Sequence, residues 1–194
     1  MARFVHFASY NLHGFQQGEP QLIELCQSHD VIAVQEHWLS DYDLNKMINF
    51  HTDFTIVAKS AMSHKIQTGF LRGRPFGGVA TLIRKYVFNS IQVVGVDSKS
   101  RRLAVMVKLT FHGNYKMLII NVYVPCSEPG QEYQSAVVDC FGFIENCIVS
   151  NDYNAVMTLG DGKFFESRFS ALTQCRTGVN VSSRSVKGWQ KFIV

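Results

Sequence analysis

The amino-acid sequence predicts an α/β domain built as a four-layered sandwich, in which two packed, mixed β-sheets are flanked by helices. Short apolar runs that are typical of buried strands alternate with helical segments in the first third of the chain. The middle of the chain contains long β-rich stretches that follow one another through turns and not through helices. Because hairpins then lie between βα units, we expect mixed sheets and not a purely parallel one. With 194 residues, the chain has the length of one domain with a substantial core.

The first third of the chain contains three predicted strands and two short helices. Pro20 is expected to open the first helix, because proline is favoured at the first helical position. Asp41 is expected to cap the second helix, which runs to Phe50. The apolar side of the first helix carries Leu22, Ile23, Leu25 and Cys26. The strands are predicted at Phe4–Tyr10, Val31–Val34 and Phe54–Ala58, the second of them covered on both faces.

Strands dominate the pattern from residue 79 onwards. The turn HGNY at residues 112–115 separates two β-rich stretches, which predicts a hairpin at that point. Residues 132–149 are predicted to be helical, because apolar residues recur there at i, i+4, i+7 and i+11. The strands are predicted at Val79–Ile83, Val87–Val96, Leu103–Phe111, Lys116–Val124 and Ala155–Leu159.

Composition narrows the class of protein without identifying a partner. The net charge of +4 suits a polyanion such as nucleic acid, and it equally suits an ordinary soluble surface. The five cysteines have no zinc-site spacing, so we expect reduced, buried thiols and no disulfide-linked partner. The N-terminus lacks the apolar core of a signal peptide, and no apolar run is long enough to cross a membrane. We therefore expect a soluble, intracellular protein without a membrane partner.

Four polar residues stand at or near the ends of apolar, strand-like runs. Asn11 closes FVHFASYN, Glu36 closes VIAVQE, Tyr123 lies in LIINVYVP, and Asp161 closes AVMTLGD. Taken singly, each has an ordinary interpretation: a turn cap, a solvated carboxylate or an aromatic strand residue. Taken together, they can form one site, because α/β domains assemble sites at the carboxyl ends of their strands. Two carboxylates with an amide also match the oxygen ligands that Mg²⁺ prefers.

These segments together resemble the endonuclease/exonuclease/phosphatase superfamily of metal-dependent phosphodiesterases. The resemblance is carried by SYNLHG (9–14), VQEHWL (34–39), NVYVP (121–125) and LGD (159–161), in the family's order. The segment GRPFGGVATLI (73–83) looks like the endonuclease domain of non-LTR (LINE-type) retrotransposons. The resemblance covers about residues 3–161 and implies hydrolysis of DNA phosphodiester bonds, which for such a substrate places the protein in the nucleus.

The resemblance also implies a role for each of the four strand-end residues. Glu36 would coordinate Mg²⁺ or Mn²⁺, and Asn11 would support the metal–phosphate site. Tyr123 would donate a hydrogen bond to the scissile phosphate, and Asp161 would position or activate the attacking water.

Four further residues bear on the implied site. His13 stands where some relatives carry an acid near the metal, so that contact is in doubt here. His37 is interpreted as a structural residue. Arg72 and Arg74, in the glycine-rich loop, are candidates for nucleic-acid binding.

The family pattern breaks directly after Asp161. Relatives continue Gly-Asp with an apolar residue and a phosphate-binding Asn, whereas this chain has Gly162 and Lys163. Relatives also end with a Ser-Asp-His-type motif, but all seven histidines here lie at or before His112. The chain is therefore divided into a truncated family-like domain, 1–161, and a divergent, basic and possibly disordered tail, 162–194. Either the authentic C-terminal part was replaced, or the tail folds as a divergent strand and helix.

Three functions follow from this pattern. The first is a Mg²⁺-dependent DNA endonuclease with weak or no activity, because the general-base His and the phosphate-binding Asn are absent. The second is a non-catalytic nucleic-acid-binding fragment that uses the arginines and the basic tail. The third is a phosphatase or lipid phosphodiesterase of the same superfamily.

Overall fold

The computed structural model describes residues 5–62, 76–87, 90–97, 103–110, 116–123, 138–139, 142 and 154–160. These residues form two four-stranded sheets with the strand orders β1-β2-β4-β3 and β5-β6-β7-β8. Each sheet contains one parallel pair and two antiparallel pairs. The predicted α/β class with mixed sheets is therefore confirmed.

The first sheet and its helices come from the N-terminal half of the chain. Strands β1 and β2 are parallel and are connected by helix α1, while β4 lies antiparallel to both β2 and β3. The elements are β1 (Phe7–Asn11), α1 (Phe15–Ser28), β2 (Val31–Gln35), a 3-10 turn (Asp41–Asp43), α2 (Leu44–Ile48), β3 (Phe54–Lys59) and β4 (Val79–Arg84).

The second sheet begins after a 3-10 turn at Lys85–Val87. Strands β6 and β7 pair antiparallel, which confirms the predicted hairpin, and β7 and β8 pair parallel. The strands are β5 (Ser90–Asp97), β6 (Leu103–Thr110), β7 (Lys116–Tyr123) and β8 (Asn154–Gly160).

The two sheets pack face to face through alternate residues of their central strands. In β2, Val31 belongs to the apolar cluster that also contains Ile119 of β7, whereas Ile32 belongs to the cluster on the other side. The alternation follows from the two-residue period of a strand. At the end of this interface, Gln35 Nε2 donates a 2.8 Å hydrogen bond to Oδ1 of the fully buried Asn121. Asn121 Nδ2 in turn donates to the carbonyl oxygen of Ala80 at 2.9 Å, so a polar contact joins the sheets.

Helices α1 and α2 cover the outer face of the first sheet. Leu22 and Leu25 of α1 and Met47 of α2 lie in one cluster with Ile32 and Leu82 of the sheet. All five side chains are buried almost completely. The hydrophobic effect of this burial holds the helices against the sheet, and it thereby places the start of α1 beside the end of β2.

The boundaries of the first helix differ from the prediction. Helix α1 begins at Phe15, and Pro20 lies inside it instead of opening it. The early start is possible because Gly18 has no side chain: a Cβ there would lie 2.3 Å from Leu12 Cδ1. Pro20 is the sixth residue of the helix and removes one backbone hydrogen bond, a loss that the burial of the apolar side of the helix offsets. Ile23 is 47% exposed and does not belong to the apolar side.

The second helix is also shorter than predicted. The segment from Asp41 is a 3-10 turn followed by a five-residue α-helix, and Asp41 makes no cap. Ser40 Oγ instead donates a 2.7 Å hydrogen bond to Asp43 Oδ2, which stabilises the turn. Of the predicted helix at 132–149, the structure describes only residues 138, 139 and 142, all helical. The remainder of that helix and the tail 162–194 lie outside the described residues.

The described cysteine fits its predicted role. Cys26 is a free, buried thiol, and burial raises its pKa to about 11 against the opposing effect of Arg84. It is therefore protonated and unreactive at neutral pH. Cys126, Cys140, Cys147 and Cys175 lie outside the described residues. Among the helices that the structure describes, none has the length and hydrophobicity that crossing a bilayer requires.

Candidate active site

Glu36 is held at the carboxyl end of β2 by backbone hydrogen bonds on both sides. Its N–H donates to the Gly78 carbonyl at 2.8 Å, and its carbonyl accepts from the Gly14 N–H at 2.8 Å. The flanking bond from Leu12 N–H to the Gln35 carbonyl is also 2.8 Å long. These hydrogen bonds thus hold the segment after β2 between the loop that follows β1 and the loop that precedes β4.

The backbone of this segment is strained. Glu36 and Trp38 each have φ of 56°, and His13 on the neighbouring loop has φ of 48°. These are the positive-φ residues other than glycine in the described part of the chain. Such conformations are costly for residues with a Cβ, and they cluster at functional sites. The positive φ at Glu36 therefore ends the side-chain alternation of β2.

His13 contacts the Glu36 carboxylate, and Asn11 holds the backbone of His13. Glu36 Oε2 lies 3.3 Å from His13 Nδ1, and the Glu36 side chain is 13% exposed. Asn11 Oδ1 accepts the backbone N–H of His13 at 3.2 Å, which is the turn-capping role expected of an Asn at this place. The side chain that ends β1 therefore fixes the loop that carries His13.

His37 has the structural role that the sequence predicts. Its ring is fully buried; Nδ1 accepts the N–H of Leu39 at 2.9 Å, and Nε2 lies 3.1 Å from the carbonyl oxygen of Lys59. Because Nδ1 accepts a hydrogen bond, the ring proton is on Nε2, and this N–H donates a hydrogen bond to the Lys59 carbonyl oxygen. Burial lowers the pKa of His37 to about 4, so the ring is neutral at physiological pH.

Two glycines bring the start of β4 against His37 and Tyr123. A Cβ on Gly78 would lie 2.3 Å from His37 Cε1, and one on Gly77 would lie 3.1 Å from Tyr123 Cε1. Their φ angles are 92° and 61°, which favour glycine in any case. Tyr123 is 7% exposed and ends β7, where its register partner is Gly160 of β8. The ends of β2 and β7 therefore meet across the Gly77–Gly78 segment.

A cleft of about 250 Å³ opens beside this segment, between the start of α1 and α2. Gly14 and the half-buried Trp38 line one side of the cleft, and Lys46 and Asp43 line another. Lys46 Nζ donates to Asp43 Oδ1 at 2.8 Å. This hydrogen bond, with a second from Ser40, holds the pKa of Asp43 below its usual range. The cleft thus offers an aromatic surface and a Lys46–Asp43 ion pair beside the segment that follows Glu36.

The structure brings three of the four strand-end residues to one end of the sandwich. Asn11 ends β1 and Glu36 directly follows the neighbouring strand β2, and Tyr123 lies across the glycine segment from Glu36. Asp161 follows Gly160, the partner of Tyr123, but lies outside the described residues, as do Arg72 and Arg74.

Two features of the site were not foreseen in the sequence. The first is the Glu36–His13 contact, which requires positive φ at both residues. The second is the buried Gln35–Asn121 hydrogen bond beneath the site. The sequence could have indicated this hydrogen bond, because Asn121 is a polar residue inside an otherwise apolar strand.

The donor atoms around Glu36 suit a hard cation that the protein encloses only in part. The described residues contain no group of three or more His, Cys, Asp or Glu side chains that could hold a metal. Mg²⁺ sites in phosphoryl transfer commonly use one or two carboxylates, with water and substrate phosphate as the other ligands. Glu36, with 13% of its side chain exposed and the Asn11 amide at the end of the adjacent strand β1, matches that sparse set.

Comparison with protein families gives one match over most of the chain. Residues 8–191 match the model of the Endonuclease/Exonuclease/phosphatase family. The match includes all four strand-end residues and continues past Asp161, so the boundary at that residue stays a prediction. Comparison with the sequences of curated proteins gives no significant match.

Solved structures with the same fold are distant in sequence. The catalytic domain of human Nocturnin, with bound sulfate, is 11% identical with a TM-score of 0.60; the match covers 89% of this chain and 69% of that one. The 3′ phosphatase NExo from Neisseria, bound to a product DNA hairpin, is 14% identical with a TM-score of 0.52, covering 80% and 56%. An AP endonuclease from Archaeoglobus fulgidus is 13% identical with a TM-score of 0.52, covering 80% and 56%. At such identities the likeness shows the fold alone, and the chain spans little more than half of the last two.

Proposed function

This chain belongs to the Endonuclease/Exonuclease/phosphatase family, whose members hydrolyse phosphodiester and phosphate bonds, and on that premise we propose a weak, divalent-metal-dependent phosphodiesterase acting on DNA. The segment GRPFGGVATLI supports a non-LTR retrotransposon endonuclease as the finer assignment. Action on DNA would require a nuclear location. The net charge of +4 is compatible with a polyanionic substrate.

The observation that carries the proposal is the placement of Glu36. The Glu36 side chain is 13% exposed at the mouth of a strand, and backbone hydrogen bonds fix the residue on both sides. His13 is the one ion-pair or hydrogen-bond partner of this carboxylate among the described side chains. Its geometry suits an ion that shares its coordination sphere with a phosphate.

The proposed roles of the chain's residues are those that the family resemblance implies, and the positions of the described residues support them. Glu36 holds the cation, and Asn11 keeps the adjacent loop in place through its bond to the His13 N–H. Tyr123 lies across the glycine segment from Glu36, where its phenol would donate to a phosphate oxygen. Asp161, directly after the register partner of Tyr123, would position the attacking water. When bound, the ion would stabilise negative charge that develops on the phosphate oxygens.

Weak turnover follows from residues that the sequence lacks. Lys163 stands where the family has a phosphate-binding Asn, and no His follows His112. A general base and a preorganised phosphate contact each contribute on the order of 10²- to 10⁴-fold to a rate. We therefore expect hydrolysis that is slow even when every protein molecule is bound to DNA.

The test is nicking of a supercoiled plasmid with the protein in excess, in Mg²⁺ or Mn²⁺. We expect slow nicking that chelation abolishes and that Glu36→Gln reduces by about 10²-fold or more, because the carboxylate ligand is lost. Glu24→Gln is the matched control, since Glu24 is an exposed glutamate on α1 and should leave the rate unchanged. Rapid multiple turnover would contradict weak activity, and nicking unaffected by Glu36→Gln would contradict the site.

Binding without catalysis is the second candidate, supported by the charge of the C-terminal segment. Residues 162–194 carry six Lys or Arg and one acid, Glu166, and Arg72 and Arg74 add two further cations. Binding through such residues should weaken steeply as salt rises, because phosphate contacts release counterions. Strongly salt-dependent DNA binding without any nicking would favour this candidate over the first.

A phosphatase or lipid phosphodiesterase activity is the third candidate. A substrate panel separates it: plasmid DNA, an oligonucleotide with a 3′ phosphate, and a phosphoinositide presented in vesicles. Glu36-dependent release of inorganic phosphate, with no nicking of plasmid, would replace the proposed endonuclease with a phosphatase.

A further inference from the structure

We propose that His13 is a second protein ligand of the metal at Glu36, so that the site binds imidazole-accepting first-row transition metals more tightly than Mg²⁺. The inference rests on the proposed function, because it takes Glu36 as a ligand. It goes beyond that function by adding a nitrogen donor and by naming the class of cation.

The first support is the separation of the two donor atoms. Glu36 Oε2 and His13 Nδ1 lie 3.3 Å apart. Bonds from carboxylate oxygen and imidazole nitrogen to such metals are each about 2.0–2.2 Å long. Two donors can bind the same ion when their separation is below the sum of those lengths, about 4.2 Å. The observed pair meets this distance condition.

The second support is that the loop is built to hold His13 there. Asn11 Oδ1 accepts the His13 N–H at 3.2 Å, and the Gly14 N–H that follows is bonded to the Glu36 carbonyl at 2.8 Å. The backbone of His13 is thus tied both to the end of β1 and to Glu36 itself. The His13 side chain is 67% exposed, so an ion from solvent can reach its Nδ1.

A second His–carboxylate pair in the molecule provides the contrast. His6 Nδ1 lies 3.6 Å from Asp30 Oδ2, but Asp30 Oδ1 also lies 3.3 Å from Nε of the buried Arg84. Asp30 Oδ2 accepts the His6 N–H as well, at 3.0 Å. That carboxylate is already neutralised by a guanidinium, which would repel a cation. Among the described residues, Glu36 has no such positive partner apart from His13 itself.

The chemistry of the pair sets the cation preference. Mg²⁺ takes oxygen ligands and keeps several waters, whereas imidazole suits Zn²⁺, Cu²⁺, Fe²⁺ and Ni²⁺. Replacing an acid by a histidine therefore weakens selection for Mg²⁺ and strengthens selection for these metals. In the family resemblance described above, His13 stands where some relatives carry an acid near the metal.

The test is titration of the full chain with Co²⁺, without DNA, followed by the visible absorption of the bound ion and by calorimetry. Four variants are compared with the unmodified chain: His13→Ala, His13→Asp, Glu36→Gln and the matched control His6→Ala. Thermal unfolding checks that each variant is folded. We expect His13→Ala to weaken Co²⁺ binding by about tenfold or more, and His13→Asp to shift the preference from Co²⁺ toward Mg²⁺. His6→Ala should leave both affinities unchanged.

The outcomes separate the two proposals. If Glu36→Gln abolishes Co²⁺ binding but His13→Ala leaves the affinity and the spectrum unchanged, His13 is not a ligand and the Glu36 site stands. If Glu36→Gln also has no effect, the proposed metal site at Glu36 fails as well. A spectrum that responds equally to His6→Ala would show surface binding and overturn the inference.

Discussion

Glu36 differs from an ordinary strand-end glutamate in its backbone and in its surroundings. Its φ of 56° lies in a region that residues with a Cβ seldom occupy, and its side chain is 13% exposed. Hydrogen bonds from both neighbouring loops hold that conformation in place. Strain that the surroundings enforce is typical of functional sites, because it fixes a side chain that would otherwise turn to solvent.

His37, the next residue, makes the stability of the folded protein depend on pH in the acid range. Burial lowers its pKa from 6.5 to about 4 in the folded protein, so the folded state keeps it neutral while the unfolded state takes up a proton below about pH 6.5. Its contribution is therefore fully present above that pH and is lost as pH falls toward 4, on the order of 3 kcal/mol in all.

The corresponding measurement is the free energy of unfolding between pH 4 and 7.5, for the unmodified chain and for His37→Gln. Glutamine can still donate to the Lys59 carbonyl and accept from the Leu39 N–H, but it does not titrate. We expect the variant to lose less stability than the unmodified chain between pH 6.5 and 4. Equal losses in the two proteins would show that His37 is not the titrating group.

At the scale of elements, the start of β4 is the piece that brings the two sheets' strand ends together. Gly77 and Gly78 lie between His37 on one side and Tyr123 on the other, with no room for a Cβ on Gly78. The GG of the GRPFGG motif is therefore explained by close packing and by positive φ, and not by loop flexibility.

Gly78→Ala should destabilise the protein by on the order of 2–4 kcal/mol, because it combines a left-handed backbone with overpacking against His37. Gly142→Ala is the matched control: Gly142 is helical and a Cβ there meets nothing within 4 Å. That change should stabilise by about 0.5–1 kcal/mol. Urea unfolding measures both, and a harmless Gly78→Ala would contradict the packing described.

The sequence predicts those helices and strands whose position depends on the local pattern of apolar and polar residues. The strand cores agree with the prediction, because apolar runs such as VIAV in β2 are buried on both faces. The start of α1 was missed because it depends on a tertiary contact, Leu12 against Gly18, and on bonds to Glu36 and His37. Likewise, the placement of Asn11, Glu36 and Tyr123 at one end follows from topology, whereas the Glu36–His13 contact depends on backbone angles that no local pattern encodes.

At the scale of the whole molecule, the predicted site residues and the polar contact between the sheets lie at one end of the sandwich. The carboxyl ends of both parallel pairs, β1–β2 and β7–β8, carry the predicted site residues, and the buried Gln35–Asn121 contact holds the two sheets together beneath them. The family match over residues 8–191 agrees with this architecture. We propose that the site binds an ion better than it turns over substrate, because Lys163 stands where the family resemblance implies a phosphate-binding Asn.

The central claim is that Glu36 holds a divalent cation at this end of the molecule. Anomalous diffraction from crystals grown with Mn²⁺ tests it most directly, because the ion is located without reference to activity. The account predicts an anomalous peak at about 2.2 Å from a Glu36 carboxylate oxygen. Crystals in which Mn²⁺ binds only elsewhere, while Glu36 keeps its 3.3 Å contact with His13, would contradict it.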